Sequence, residues 1–240
     1  MKQIKIELIE SYNYIFKELN LGYFEIPKNA STSFRISLSK YYKRKAPYNA
    51  NPIKTFDKFS SGDLPEFTAT TDEILSMDNI IVLYRHPVHR IKSAYNNIYF
   101  AKDAKNHLPK KSLNKSFSVF LKDILVQEIL TYDEHTGSEI VWHNHFMPQS
   151  WFIPKEVWKN KNVSYFNIND MSQVFEYLKK LSNNRFDFSE KLHYNSSTYD
   201  KNLYDMTDEE IWNWWNKEFP QDVNFYFKCV EAQRLKNKRI

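Results

Sequence analysis

Three groups of residues in this chain have the types and spacing to hold a highly anionic ligand and to move a group from it. The first is Ile26-Pro27-Lys28-Asn29-Ala30-Ser31-Thr32-Ser33, which follows the apolar run Tyr23 to Ile26 and opens a helix expected to continue toward Lys45. The first amides of a helix have no partner inside it, and the helix dipole adds partial positive charge at the same end, so an anion can be held there. Lys28 adds a full charge, and Ser31, Thr32 and Ser33 add hydroxyls. The chain has only three glycines, Gly22, Gly62 and Gly137, so this turn is not a Walker A loop.

The second group follows another strand signal. Ile80-Ile81-Val82-Leu83-Tyr84 is a β-branched apolar run, and it leads into Arg85-His86-Pro87-Val88-His89-Arg90-Ile91-Lys92-Ser93-Ala94-Tyr95. Pro87 stands where a helix can start without an amide donor. Arg85 is then at the mouth of the strand, with Ser93 about two helical turns along. Arginine suits forked contacts to a phosphate. Two strand-then-helix anion sites, one with a lysine and one with an arginine and a serine, suit a nucleoside phosphorylated at both ends. Either stretch alone also fits an ordinary capped turn or a solvated surface helix. The specificity lies in the pair.

The third group is Trp142-His143-Asn144-His145-Phe146-Met147-Pro148-Gln149. A histidine titrates near neutrality and can serve as a base toward a hydroxyl. His145 is the first candidate and His143 the second. A histidine that merely bonds a backbone carbonyl fits the same letters. The two lack a third ligand at metal spacing, so no metal site is expected.

In order and spacing, the first two motifs resemble those of the sulfotransferases that use 3′-phosphoadenosine 5′-phosphosulfate (PAPS), most closely their carbohydrate branch. Pro27 to Ser33 is similar to the Pro-Lys-x-small-x-Thr/Ser-Ser loop that takes the 5′-phosphosulfate. Arg85 to Tyr95 is similar to the Arg-Asp-Pro-x-x-Arg-x-x-Ser-x-Tyr segment that takes the 3′-phosphate, with His86 where an acidic residue is usual. The resemblance implies that Lys28, Asn29, Ala30, Ser31, Thr32 and Ser33 hold one end of PAPS and that Arg85 and Ser93 hold the other. It implies a catalytic role for Lys28, which would neutralise charge on the bridging oxygen. His145 matches the histidine of a His-aromatic-x-x-Gln/Cys stretch in these enzymes, which implies the base, and Gln149 would orient donor or acceptor. Leu192-His193-Tyr194-Asn195-Ser196-Ser197 is similar to an Asn-x-Ser stretch that returns toward the donor, which places Asn195 and Ser197 there; a polar loop is the equal alternative. Some relatives use a carboxylate base, so Asp63, Glu66, Asp72 and Glu73 remain alternatives, Glu66 first. Glu66, His143 and Gln149 are the residues expected to meet the substrate.

The expected function is transfer of a sulfuryl group from PAPS to an acceptor hydroxyl, by the resemblance that of a saccharide or polysaccharide, without a metal. Two other readings stay open. One is a non-catalytic nucleotide- or polyanion-binding protein of the same fold. The other is a nucleotide-dependent kinase, against which the missing Walker glycines count.

Composition agrees with such an enzyme. The 240 residues suffice for one domain over 1–240. Net charge is +5, which suits anionic ligands, yet no nucleic-acid module is present and no nucleic-acid partner is expected. A single cysteine, Cys229, excludes an intramolecular disulfide framework. No apolar run approaches the roughly 18 residues of a membrane span, and Met1 to Glu7 is not a secretory signal. A soluble cytoplasmic protein of bacterial or viral origin is expected, with no integral membrane segment.

These motifs require positioning elements. Strand and helix signals alternate, which predicts an α/β fold: a P-loop-like, three-layer arrangement with a central parallel sheet flanked by helices, and ligand at the carboxyl ends of the strands. Periodicity predicts an initial helix within residues 3–19, a helix from Phe117 to Leu130, a strand over Val163–Ile168 and a helix over Met171–Leu181 capped by Asp170. Thr207 with Glu210 forms a capping-box signature for Ile211 to Phe219, and Asp222 to Leu235 reads as the last helix. Trp212, Trp214 and Trp215 share helical spacing, which favours packing over sugar stacking.

Overall fold

A computed structural model describes residues 13–31, 33–34, 37–38, 67–100, 115–125, 143–185 and 203–237 of the chain. Along these residues run β1 (Asn13–Phe16), β2 (Leu21–Phe24), α1 (Thr71–Leu75), β3 (Asn79–Tyr84) and α2 (Pro87–Phe100). They continue with α3 (His143–Phe146), β4 (Val163–Asn167), α4 (Met171–Leu181), α5 (Asp208–Glu218) and α6 (Pro220–Asn237). Phe117–Val119 is a single helical turn that widens into a π-helical stretch, Phe120–Leu125. The described residues fall into two compact units. One contains 13–84, 152–185 and 229–237, the other 85–151 and 203–228.

The first unit is built on a four-stranded sheet in the order β1-β2-β3-β4. β2, β3 and β4 are parallel, while β1 runs antiparallel to β2. The expected initial helix within residues 3–19 is corrected over its described part, where 13–16 are strand and 17–19 a short 3-10 turn, while residues 3–12 lie outside the described residues. Asn-Tyr-Ile-Phe is buried at every position, so it offers no polar face to a surface helix, and its aromatic and β-branched residues fit a pleated surface. The connection to β2 is one tight turn through Lys17–Leu19 and Asn20, too short for the crossover that a parallel neighbour needs. Asn20 takes a left-handed φ of 45° there, which asparagine tolerates.

Ile81 and Leu83 of β3, with Tyr23 of β2 and Phe166 of β4, pack against Val174 and Leu178 of α4 and against Phe34 and Leu38. Tyr84 points the other way, and its hydroxyl donates to Gln233 of α6 at 2.6 Å. The same Gln233 oxygen accepts from the Asn167 N–H at 3.2 Å, which ties the carboxyl ends of β3 and β4 together. At Gly22 of β2 an added Cβ would lie 2.7 Å from Ile74 Cγ2 and 3.2 Å from the Ile74 carbonyl. Gly22→Ala is therefore expected to destabilise the protein by about 1–3 kcal/mol through overpacking. Denaturant unfolding checks this, and an unchanged midpoint would mean that α1 moves aside freely.

Helix starts follow the sequence signals. Thr207 accepts from the Glu210 N–H while Glu210 accepts from the Thr207 N–H, so the predicted capping box is formed. A second box, Thr70 with Glu73, opens α1 and engages the Glu73 carboxylate, one of the alternative bases. Asp170 stands at the predicted start of α4 but makes no cap bond, since its carboxylate takes the side chains of Ser172 and Gln173. Within the second unit α3 and α5 both pack on α2. No helix among the described residues is long and apolar enough to cross a membrane.

Candidate functional site

The Lys28 turn lies directly after β2. Asn29 N–H donates to the Ile26 carbonyl at 3.1 Å, which closes a four-residue turn with Pro27 and Lys28 at its centre. Proline second and a positive φ third is the pattern of a type II turn, whose third position normally falls to glycine. Here that position is Lys28, at φ 69°. Ala30 is also left-handed, at φ 57°. Each such non-glycine residue costs about 1–2 kcal/mol, and strain of this kind gathers at functional sites. Alternation of left-handed residues with ordinary ones turns backbone N–H groups into a concave anion nest. A helix begins immediately after, with Phe34 N–H on the Ala30 carbonyl at 3.0 Å.

The side chains of this turn divide into two kinds. Asn29 is fully buried, and its amide donates to the Leu83 carbonyl of β3 at 2.9 Å. With its N–H engaged in the turn as well, Asn29 anchors the loop to the strand. Lys28 is half-buried, and Ser31 and Ser33 are buried at the helix start. Thr32 lies outside the described residues, as do Glu66, Asn195 and Ser197.

The second unit holds Arg85, Ser93, His143, His145 and Gln149. Arg85 and His86 form the step from β3 into α2, which begins at Pro87 as predicted. Arg85 is half-buried and Ser93 is buried on α2. The peptide of Arg85 is clasped from both sides by one side chain. Gln149 Oε1 accepts from the Arg85 N–H at 3.1 Å, and Gln149 Nε2 donates to the Arg85 carbonyl at 3.0 Å. Gln149 is itself fully buried, so it meets Arg85 rather than solvent. His143 and His145 both lie on α3, where two positions two residues apart stand about 200° apart around the axis. His145 is half-buried, and the His143 side chain lies outside the described residues.

A family model described as the sulfotransferase family matches residues 13–234. The chain belongs to the sulfotransferase family. No curated protein and no solved structure matches it. The match runs from β1 through both motifs to α6 and makes the protein a transferase of the sulfuryl-transfer class. Its mixed α/β architecture, a four-stranded sheet with helices, agrees with that membership. Among the described residues no cluster of three or more His, Cys, Asp or Glu side chains is placed to hold a metal ion.

This sulfotransferase departs from the usual motif at His86, and the structure shows what the histidine does. Its ring stacks on Trp212 at 4.8 Å, meets the edge of Tyr226 at 5.1 Å and lies 5.1 Å from His89. Burial holds the His86 pKa below the ordinary value, and the charge of His89 adds to this against Asp208. His89 is lowered by burial and then by Arg85 and Lys92, again opposed by Asp208. Asp208 also binds Lys92, which its position at the start of α5 makes possible. For a histidine lowered in the folded state, the stability present above the unfolded value of about 6.5 is lost as pH falls through the folded one. Acidification below about pH 6.5 should therefore destabilise the protein, and His86→Phe, which keeps the stack on Trp212, should flatten that loss. Unfolding midpoints across pH 5 to 8 test it, and identical slopes in the two proteins would discard the assignment.

Sequence reasoning missed two buried groups. Arg90 is 1% exposed and donates to the Met147 carbonyl at 2.6 Å. Asp222 is fully buried and accepts from Trp215 Nε1 at 2.9 Å and from the Ser150 N–H at 3.1 Å. In the sequence Asp222 reads as an ordinary acid in the first turn of a helix. Only the neighbouring Trp215 and its own apolar flank, Val223 and Phe225, hint at burial.

Proposed function

We propose that this protein transfers a sulfuryl group from PAPS to a hydroxyl of a saccharide, within a single P-loop-like sulfotransferase domain over 1–240. The observation that carries the reading is the turn at Lys28, where two residues with side chains are held left-handed at the mouth of a helix. Strain of this kind gathers at functional sites. The single family match running through both units supports one domain. The PAPS and carbohydrate assignments rest on the motif likeness.

In this reading the Lys28 turn takes the 5′-phosphosulfate, with Ser31, Thr32 and Ser33 supplying hydroxyls and Asn29 and Ala30 supplying backbone. Arg85 and Ser93 take the 3′-phosphate, and Asn195 and Ser197 contribute on the donor side. PAPS brings an activated sulfur, so no metal is needed. Lys28 stabilises charge that grows on the departing phosphate, which is where a preorganised cation acts most strongly. His145 accepts the acceptor's proton as a neutral imidazole, with His143 and Glu66 near the acceptor.

Calorimetric titration with 3′-phosphoadenosine 5′-phosphate, beside adenosine 5′-monophosphate and ATP, tests the donor. Tight binding that requires the 3′-phosphate and is lost in Arg85→Ala is the expected result. Equal binding of all three, or of none, would overturn it. Labelled PAPS with a panel of saccharides then tests transfer, and donor binding without transfer to any hydroxyl would favour a non-catalytic binder.

A further inference from the structure

We infer that Gln149 and Asp222 are positioning residues for the 3′-phosphate arm, acting on the donor only through Arg85. The inference rests on the donor assignment proposed above and extends it to residues that never meet the ligand. Four observations within one unit carry it. Gln149 holds both polar groups of the Arg85 peptide, at 3.1 and 3.0 Å. Gln149 is completely buried, so its amide is committed to that task. The backbone that carries Gln149 is pinned from behind. Asp222 accepts from the Ser150 N–H at 3.1 Å and from the Gln149 N–H, and is itself fixed by Trp215 Nε1 at 2.9 Å. Arg90 holds the preceding turn through the Met147 carbonyl at 2.6 Å, and its positive charge favours the ionised form of Asp222 against burial.

The physical logic is one of angle. A forked arginine contact discriminates by direction as well as charge, and the direction of the Arg85 side chain is set by its peptide plane. That plane lies outside regular structure, between the last residue of β3 and the first of α2. Gln149 fixes it by holding both its N–H and its carbonyl. Asp222 fixes where Gln149 stands. A small displacement of such a supporting group can lose a large share of the recognition it supports.

The test compares two ligands that differ only in the 3′-phosphate: 3′-phosphoadenosine 5′-phosphate and adenosine 5′-monophosphate. In the unaltered protein the first should bind about ten- to hundredfold more tightly, the worth of a charge-assisted contact. In Gln149→Met, which keeps the volume but not the amide, that preference should fall by about tenfold while the monophosphate affinity moves little. Added to Arg85→Ala, the same change should have no further effect, because it acts through that side chain. Asp222→Asn should reduce the preference in the same direction. If Gln149→Met does not fold, Gln149→Glu, which accepts from the Arg85 N–H but cannot donate to its carbonyl, is read in the same way. A retained preference, an equal loss for both ligands, or a full additional loss on top of Arg85→Ala would overturn the inference. Absence of any preference in the unaltered protein would instead overturn the donor assignment itself.

Discussion

Lys28→Ala is expected to lower kcat for sulfuryl transfer by about 10²–10³-fold, the usual effect of removing one preorganised group that meets developing charge. The substitution isolates the ammonium. Lysine and alanine both carry a Cβ, so the left-handed φ of 69° costs the same in either protein, and the Ile26–Asn29 turn bond remains. The Asn29 anchor on Leu83 is untouched as well. The loss should therefore appear in kcat more than in donor affinity, because the bridging oxygen carries most of its charge as the bond breaks. Steady-state rates with labelled PAPS measure it. A kcat within about threefold of the unaltered enzyme would remove Lys28 from the chemistry.

Asp222→Ala is expected to lower the unfolding free energy by about 2–4 kcal/mol, the cost of leaving two buried donors without their acceptor. Arg90 is almost completely buried, and desolvation pulls its pKa down to about 10 even with Asp222 opposing that shift. Burial pushes the Asp222 pKa up in turn, with Arg90 opposing, so each charge favours the other and the substitution removes that support. Trp215 Nε1 and the Ser150 N–H lose their acceptor at the same time, and an unsatisfied buried donor carries its own penalty. Urea or guanidinium unfolding measures the change. A loss below about 1 kcal/mol would mean that water enters and replaces the carboxylate.

What could be read from the sequence and what could not differ by the range of the interactions. Ile80 to Tyr84, Val163 to Asn167, Met171 to Leu181 and the Thr207 box were legible because local pattern and capping chemistry determine them. The Lys28 and Arg85 motifs were legible as residue types, and the family match spans both. Residues 13–16 were misread because four residues are too few for periodicity to separate strand from helix; pairing with β2 decides them. The left-handed Lys28 was not legible, since its signal would have been a glycine and the sequence has none there. Gln149 reads as a polar residue facing a ligand, whereas its partner is a peptide 64 positions earlier. Asp222 is separated from Ser150 by 72 positions, and no local rule connects them.

The turn at Lys28 has a consequence for the thermodynamics of ligand capture. A glycine-rich phosphate loop samples many backbone conformations and loses them when an anion arrives. This loop has a proline at its second position and a β-carbon on every residue from Pro27 to Ser33. Pro27 fixes one torsion outright, and the Asn29 side chain fastens the middle of the loop to β3. Little freedom remains to be surrendered, so the cost of ordering falls on folding rather than on binding. An anion should enter with a smaller entropic penalty than a glycine loop would impose, and Ala30→Gly should relax the fold while making that penalty larger.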